Sequence, residues 1–575
     1  MRVNPLHAID FYKTDHRRQY PEGTTEVYSN LTARSSKWAN VMRDNFDDKI
    51  VFFGLQYFLK HFLVDSWNEH FFKKPIKSIV TSYKRRMDSS LGEDAIDIDH
   101  IIALHDLGYL PLQINALPEG SRVPIGVPIL TIVNTNPKFF WLTNYIETVI
   151  SAYLWKPITS ATTAFEYRKI LQRYAKETGA DESFIDFQAH DFSFRGMSSL
   201  QDAAVSGAAH LTSFLGTDAI PGIDLLEDYY DASTHDGIIG CSVPATEHSV
   251  MCMGTEDGEL ETFKRLINDL YPKGIISIVS DTWDFWKVIT EYVVTLKDDI
   301  LAREGKVVIR PDSGDPVKII CGDIEVYDFS DLKEYDLCKC EAEIEDHIAG
   351  EVVDKASNGE YSDDECASGY FLFKGKVYKT VLSLEWGRDG PKAYFLDGFS
   401  IESTAEYTMT PENKGAVQCL WETFGGTETK EGYKTLDQHI GLIYGDSITL
   451  QRAEQILSKL KAKGFASDNI VFGVGSYTYQ YATRDNFGFA MKATSGVVNG
   501  ERRDIFKNPK TDDGTKKSAK GLLRVEREGE TFVLYDQQSE VQEKFGALQL
   551  KFVNGELVNT TNLNQIRANI KQERK

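Results

Sequence analysis

Several things are scarce in this chain of 575 residues. No run approaches the roughly 18 apolar residues that cross a bilayer, which excludes a hydrophobic spanning helix. Cysteine is sparse. There are seven, an odd count at scattered spacings, unlike a secreted disulfide scaffold. The opening MRVNPLHAIDFYKTDH lacks the apolar core of a signal peptide. Bases are outnumbered, 64 Lys and Arg against 86 Asp and Glu, for a net charge of −22. A surface of that sign repels nucleic acid and anionic membranes, so any polyanionic ligand requires a local basic pocket. Common catalytic signatures are missing too: no G-x-x-x-x-G-K-[ST] phosphate loop, no H-E-x-x-H, no C-x-x-C and no G-x-S-x-G elbow. These absences predict a cytoplasmic protein without nucleic-acid or membrane partners. What is present, 42% hydrophobic and 26% charged residues, is globular composition with a sizeable core.

Three regimes follow one another along the chain. Residues 1–155 mix helical and extended patterns. Val51–Leu63 reads as a buried helix, and Ile114–Val133 as short strands separated by Gly and Pro turns. From 156 the pattern changes. Thr159–Thr178 predicts a helix capped by Thr159 or Ser160 and stopped at Gly179, and Ser198–Phe214 a helix of small residues. Short apolar runs then end in polar turns: Ile275–Val279 before Asp281, Val307–Ile309 before Arg310 and Asp312, Ile440–Tyr444 before Gly445 and Asp446, Ile470–Phe472 before Gly473 and Gly475. After Asp446, Leu450, Ala453, Leu457 and Leu460 recur at helical spacing. Strand, polar turn and amphipathic helix in repetition predict a parallel sheet or α/β barrel, whose chemistry sits at the carboxyl ends of the strands. Residues 318–414 interrupt this rhythm with 22 acids and 10 bases, taking −12 of the total charge. They read as an inserted acidic subdomain, loop-like at first and a strand meander over Tyr370–Trp386 and Lys392–Phe399. Residues 485–575 are again β-rich. The predicted organisation is thus 1–155 and 485–575 as two parts of a β-rich domain, with 156–484 as a barrel interrupted by 318–414.

Candidate functional residues cluster at the strand ends. If His190–Gly196 (HDFSFRG) is extended, His190, Phe192 and Phe194 share one face, with Asp191 and Arg195 on the other. Asp218 follows the small-residue helix in a GTD turn, where an acid also serves as a helix stop. Glu247 and His248 follow Ser242–Val243–Pro244, where a surface pair is the plainer reading. Cys338 and Cys340, with Cys366 and His347 nearby, match no common zinc spacing.

Eight blocks stand in the order seen in nicotinamide phosphoribosyltransferases: HDFSFRG, GTDAI, SVPATEHS, SIVSDTWDFW, VIRPDSGDP, IYGD, VFGVGS and TRD. The N-terminal DFYKTDHRRQYPEGT, followed by Tyr28 and Arg34, is similar as well. The chain resembles that family over most of its length outside roughly 318–430. The resemblance implies the type II phosphoribosyltransferase architecture, an irregular α/β barrel with a β-rich domain built from both chain termini. It implies transfer of phosphoribosyl from 5-phosphoribosyl 1-pyrophosphate to nicotinamide, with Mg²⁺, and a homodimer with shared sites. Asp10 and Tyr12 match positions that reach into the partner's site, and Phe192 matches the aromatic that sandwiches the pyridine ring with that Tyr. Asp218 matches the carboxylate that accepts from the carboxamide. Ser242 and Ser277 match further substrate contacts, Arg195 and Arg310 the arginines lining the ring and phosphoribosyl site, and Asp281 and Asp312 positions near ribose and metal. Gly445, Asp446, Gly475 and Ser476 match the loops around the ribose and 5'-phosphate. Arg34, Arg484, Lys492 and Lys507 match cations that hold pyrophosphate and ATP phosphates. His248 matches a histidine phosphorylated by ATP, with Glu247 and Asp281 as neighbours that orient it.

Three positions depart from the family pattern: Ala490 where Ser is common, Ser476 where Gly is expected, and Leu522 near where a base would help ATP. They weaken the expectation of ATP coupling more than that of transfer. An enzyme taking nicotinate or quinolinate on the same fold is the competing activity, and Asp218 argues against it because a carboxylate repels an acid substrate. A non-catalytic binding protein is disfavoured by Arg195, Asp218, His248, Asp281, Arg310 and Asp312 standing together. The insertion reads equally as a lid, a dimer contact, a regulatory surface or a tolerated surface loop.

Overall fold

The computed structural model describes residues 4–332, 337–361, 365–388, 390–396, 398–445, 447–507 and 518–572. The chain divides into two compact units, Met1–Ser242 with Gly445–Glu454 and Val471–Lys575, and Val243–Tyr444 with Gln455–Ile470.

The first unit contains a seven-stranded antiparallel sheet drawn from both ends of the chain. Its order is Glu501–Asp504, Ala490–Val498, Thr24–Thr32, Pro128–Asn134, Leu112–Ala116, Gln549–Val553, Glu556–Leu557. The β-rich portion assembled from both termini is therefore present. The apolar segment that reads as one helix is split. Lys49–Val51 is a strand paired to Arg122–Pro124, and the helix starts at Leu55 after Gly54, whose φ of 102° only glycine tolerates easily. Phe52, Phe58, Trp67 and Phe71 are fully buried there, which is why the run looks uniformly apolar.

The predicted helix Thr159–Thr178 is the second half of a longer one, Glu147–Thr178. Thr159 is buried mid-helix and caps nothing. Pro157 interrupts one hydrogen bond, a cost of about 3 kcal/mol in an exposed helix. The buried face continues on both sides of it, and this packing outweighs the local cost. Gly179 does end the helix, in the left-handed conformation at φ 67°. The small-residue helix spans Leu200–His210, capped by the Ser199 hydroxyl on the Asp202 N–H.

Two runs of parallel strands carry the α/β pattern. In the first unit Val471–Val474 pairs with Ala189–Asp191, Asp191 bridges to Thr217, and Gly216 bridges to Cys241. In the second unit Ala245 bridges to Ser277, Lys273–Val279 pairs with Glu304–Arg310, and that strand pairs with Ile440–Tyr444. The helix Leu450–Ala462 follows, with Leu450, Ala453, Leu457 and Leu460 all buried as their spacing predicts.

The insertion lies in the second unit and has its own core. Its strands Cys366–Phe373, Lys376–Gly387 and Gly390–Phe395 form the expected meander, with Val326–Asp328 added at the far edge. The segment that reads as loop-like is instead a 21-residue helix, Leu337–Ser357. Cys340, Ile344, Ile348, Val352 and Ala356 recur every four residues and are buried against Phe371, Phe373, Leu382 and Leu384. Acids fill the remaining positions and hide that stripe in a composition count. Two residues apart on a helix, Cys338 and Cys340 point to different sides, one exposed and one buried. His347 packs edge-on to Tyr327 and Phe329. No group of three metal-ligating side chains converges among the described residues. Nor is any described helix long and apolar enough to cross a membrane.

Candidate active site

Parallel strands share one carboxyl end, and the sequence places its candidate residues there. In the first unit the residues just past the strands are Phe192, Asp218, Ser242 and Gly475. The strand Ala189–Asp191 puts His190 and Phe192 on one side, as alternation requires, and their rings lie 4.6 Å apart at 34°. Asp191 faces the other way and is fully buried. The extended reading ends there, because Phe194–Gly196 is a 3-10 turn that leaves Phe194 and Arg195 exposed.

Asp218 receives two donors on one oxygen. Ser242 Oγ donates to Oδ1 at 2.6 Å, and His190 Nε2 lies 2.8 Å from the same atom. The Asp218 backbone N–H is tied to the Asp191 carbonyl at 3.0 Å. The side chain remains 44% exposed, so this carboxylate faces out of the protein with its orientation already set. The sequence places His190 on the Phe192 face of HDFSFRG but assigns it no role in a site. Its place inside HDFSFRG is the one signal that could have found it.

Gly475 precedes the short helix Ser476–Tyr479. Ser476 stands where glycine was expected, and its hydroxyl occupies the space a Cβ on Gly196 would fill, 2.2 Å away. The larger residue at 476 is thus matched by glycine at 196. Gly445 immediately follows the strand Ile440–Tyr444, and Asp446 lies outside the described residues.

A second cluster sits on the terminal sheet of the same unit. Lys492 lies on the strand Ala490–Val498, half-buried, and its ammonium is pushed down by desolvation first and then by Arg34, Lys507 and Lys13, with Glu147 opposing. Arg34 and Lys507 are therefore close enough to Lys492 to disfavour its charge, and Glu147 lies close enough to offset them. Arg484 is exposed and pairs with its neighbour Asp485 at 2.8 Å. Leu522 is buried against Tyr28, which explains an apolar residue there. Asp10 accepts from Thr148 at 2.7 Å, and Tyr12 is 60% exposed, an unusual position for a large aromatic ring.

In the second unit the strand ends carry Asp281, Arg310 and Asp312. The Asp312 N–H donates to Asp281 Oδ2 at 2.9 Å, while Asp281 Oδ1 is buried with no hydrogen-bond partner. His248 opens the helix His248–Met253. Its Nε2 lies 3.9 Å from Asp281 Oδ1 and 3.9 Å from Asp312 Oδ2, and its Nδ1 is 3.2 Å from Thr282 Oγ1. The expected neighbours are thus half right. Asp281 is beside the imidazole, but Glu247 turns back to accept from Ser249, the residue two further along. Thr282 and Asp312 take its place, neither legible from spacing. The Arg310 guanidinium donates to the Thr246 carbonyl. Ser277 is buried in its strand, and its hydroxyl has no partner.

Chemically, the first unit presents an aromatic face beside an oriented carboxylate, plus a cation cluster. The second presents an imidazole between two carboxylates next to an arginine.

Comparison with known proteins gives these residues a context. The nicotinate phosphoribosyltransferase (NAPRTase) family model matches residues 187–346 and 403–554, so its break falls within the insertion. The model of the nicotinamide phosphoribosyltransferase N-terminal domain matches residues 4–114. A nicotinamide phosphoribosyltransferase of Acinetobacter baylyi is 55% identical over 578 residues, covering 100% of this chain and 98% of its own. One from Mycoplasma pneumoniae is 32% identical, covering 90% of this chain and 94% of its own. Among solved structures, nicotinate-nucleotide pyrophosphorylase from Pyrococcus furiosus superposes with a TM-score of 0.51 at 12% identity, covering 99% of this chain and 95% of that one. The last likeness is one of fold.

Proposed function

Because the chain belongs to the nicotinamide phosphoribosyltransferase family, we propose that it joins nicotinamide to 5-phosphoribosyl 1-pyrophosphate, giving nicotinamide mononucleotide and pyrophosphate in NAD salvage. The observation that carries the choice of substrate is Asp218, an outward-facing carboxylate oriented by two donors. A carboxylate accepts from the NH₂ of a carboxamide and repels the carboxylate of nicotinate or quinolinate.

The reaction requires no strong base. The pyridine nitrogen attacks the anomeric carbon with a lone pair and loses no proton. A C–N bond forms as the C–O bond to pyrophosphate breaks, with inversion at carbon. Phe192 holds the flat ring by stacking, and Tyr12 of a second copy covers its other face in a homodimer. The 60% exposure of Tyr12 supports that partner role. Arg195 contacts the pyridine ring, and Arg310 the phosphoribosyl group. Gly445, Gly475 and Ser476 let backbone N–H groups approach its 5'-phosphate. Arg34, Lys492, Lys507 and Arg484 hold leaving pyrophosphate or nucleotide phosphates.

Asp281 and Asp312 are the residues that would hold Mg²⁺. The fit is supported by the buried, unpartnered Oδ1 of Asp281 and by an all-oxygen donor set. An ion that arrives with pyrophosphate needs only one or two protein carboxylates. When bound, it neutralises charge on the leaving group. Asp281 itself faces the sugar as positive charge develops there.

For ATP we propose that His248 Nε2 forms an N–P bond to the γ-phosphorus while the P–O bond to ADP breaks. Thr282 holds Nδ1, which leaves the Nε2 lone pair to attack phosphorus. The phosphohistidine is then hydrolysed, coupled to product formation, in the cytoplasm.

The reading is tested by pyrophosphate release with Mg²⁺, 5-phosphoribosyl 1-pyrophosphate and either nicotinamide or nicotinate. Turnover with nicotinamide at least about a hundredfold above nicotinate is expected from a charge repelled rather than paired. Preference for nicotinate, or no release with either, contradicts it.

A further inference from the structure

We infer that His190 is a positioning residue that sets the choice between amide and acid substrates by fixing Asp218. The inference rests on the reading of Asp218 as the carboxamide acceptor.

Four contacts confine the imidazole. Its backbone is held mid-ladder, paired in register with Gly473, with the next N–H groups bound to the Gly216 and Val474 carbonyls at 3.1 and 2.9 Å. One edge of the ring lies against the Gly216 backbone, where a Cβ would come within 2.8 Å of Nδ1. One face meets Phe192 at 4.6 Å. The opposite edge places Nε2 at 2.8 Å from Asp218 Oδ1. Thus one side chain, 11% exposed, touches both groups assigned to the pyridine. The ring cannot turn without displacing Phe192 or the Gly216 backbone.

The chemistry follows from which atom bears the proton. An ionised carboxylate only accepts, so the bond requires the hydrogen on His190 Nε2. Ser242 adds a second donor to the same oxygen, but a hydroxyl rotates and an imidazole wedged on three sides does not. His190 therefore fixes the plane in which the carboxamide NH₂ is met.

The test compares three variants in the full-length enzyme. His190→Phe keeps an aromatic ring against Phe192 and removes the donor. His190→Gln restores an N–H that reaches Asp218. Asp218→Asn probes the underlying reading. For His190→Phe, the KM for nicotinamide is expected to rise about tenfold and the nicotinamide-to-nicotinate ratio to fall about tenfold, the worth of one charge-assisted hydrogen bond. The kcat and the KM for 5-phosphoribosyl 1-pyrophosphate stay within about threefold, which separates lost positioning from general damage. His190→Gln recovers most of the discrimination. Should His190→Phe fail to fold, His190→Asn, whose amide is too short to reach, replaces it. Unchanged discrimination in the donor-less variant, or equal damage from Phe and Gln, overturns the inference. If instead Asp218→Asn leaves discrimination intact, it is the reading of Asp218 that fails.

Discussion

Asp218 and Asp281 both stand just past the end of a parallel strand, yet the protein treats them in opposite ways. Asp218 is 44% exposed and already holds two donors on one oxygen. The Asp281 side chain is 5% exposed, and one of its oxygens accepts no hydrogen bond, with His248 Nε2 3.9 Å away. A buried carboxylate oxygen without a partner is costly, by about 1–3 kcal/mol even after relaxation. Positive charge brought to that oxygen, as a cation or on the reacting sugar, offsets the cost. On the proposed reading, Asp218 is prepared for recognition before the reaction, and Asp281 for charge that appears during it. The first kind of group acts on KM and substrate choice, the second on kcat.

Substitutions should separate the two. Asp281→Ala is expected to have the largest effect, lowering kcat by about 10²–10³ with the KM for nicotinamide within about threefold, as for loss of a preorganised electrostatic group. Steady-state kinetics checks it, and a change confined to KM would dissolve the contrast. Asp218→Ala should do the converse, raising the KM for nicotinamide about thirtyfold while kcat changes little, since a hydrogen bond to a charged group is worth about 2 kcal/mol. His248→Ala sharpens the second region. The ratio of rates with and without ATP is expected to fall to about one, with no phosphohistidine by mass spectrometry. Undiminished ATP stimulation would remove His248 from the mechanism.

The smallest effect concerns the scaffold behind Asp218. Arg567, on the terminal helix Leu563–Gln572, donates to the carbonyls of Leu211, Ile238 and Ile239 at 2.6–3.0 Å. Burial pushes its guanidinium down to about 10, so it stays charged at neutral pH. It clamps the segments that lead to Asp218 and to Ser242. Arg567→Lys should cost about 1–2 kcal/mol in a denaturation midpoint, because one ammonium cannot satisfy a fork of acceptors. It should also raise the KM for nicotinamide a few-fold and spare the ATP response, touching one region alone.

The strand ends of the α/β part were legible because buried parallel strands are short, apolar and closed by polar turns. Asp281, Arg310 and Asp312 fall where that rhythm puts them. The helix end at Gly179 was legible, because glycine takes the left-handed turn there. The small-residue helix, read as Ser198–Phe214, instead starts after the Ser199 cap and stops at His210. Elsewhere tertiary packing overrode local signals. Pro157 sits inside a helix whose buried face carries on past it. The helix Leu337–Ser357 hid behind its acids, since charge content says nothing about a stripe recurring every four residues. The partners of site residues were the least legible. Thr282 on His248 and His190 on Asp218 depend on which strand ends lie side by side, a long-range fact. Glu247 looked like a neighbour of His248 by adjacency alone, and it bonds Ser249 instead.

The most direct measurement is a crystal structure with nicotinamide mononucleotide and pyrophosphate bound. The account predicts the pyridine ring stacked on Phe192, its carboxamide nitrogen within hydrogen-bond distance of Asp218, and Asp218 unmoved against His190 and Ser242. A nucleotide whose carboxamide lies away from Asp218, or an Asp218 that swings to a new position on binding, would contradict it.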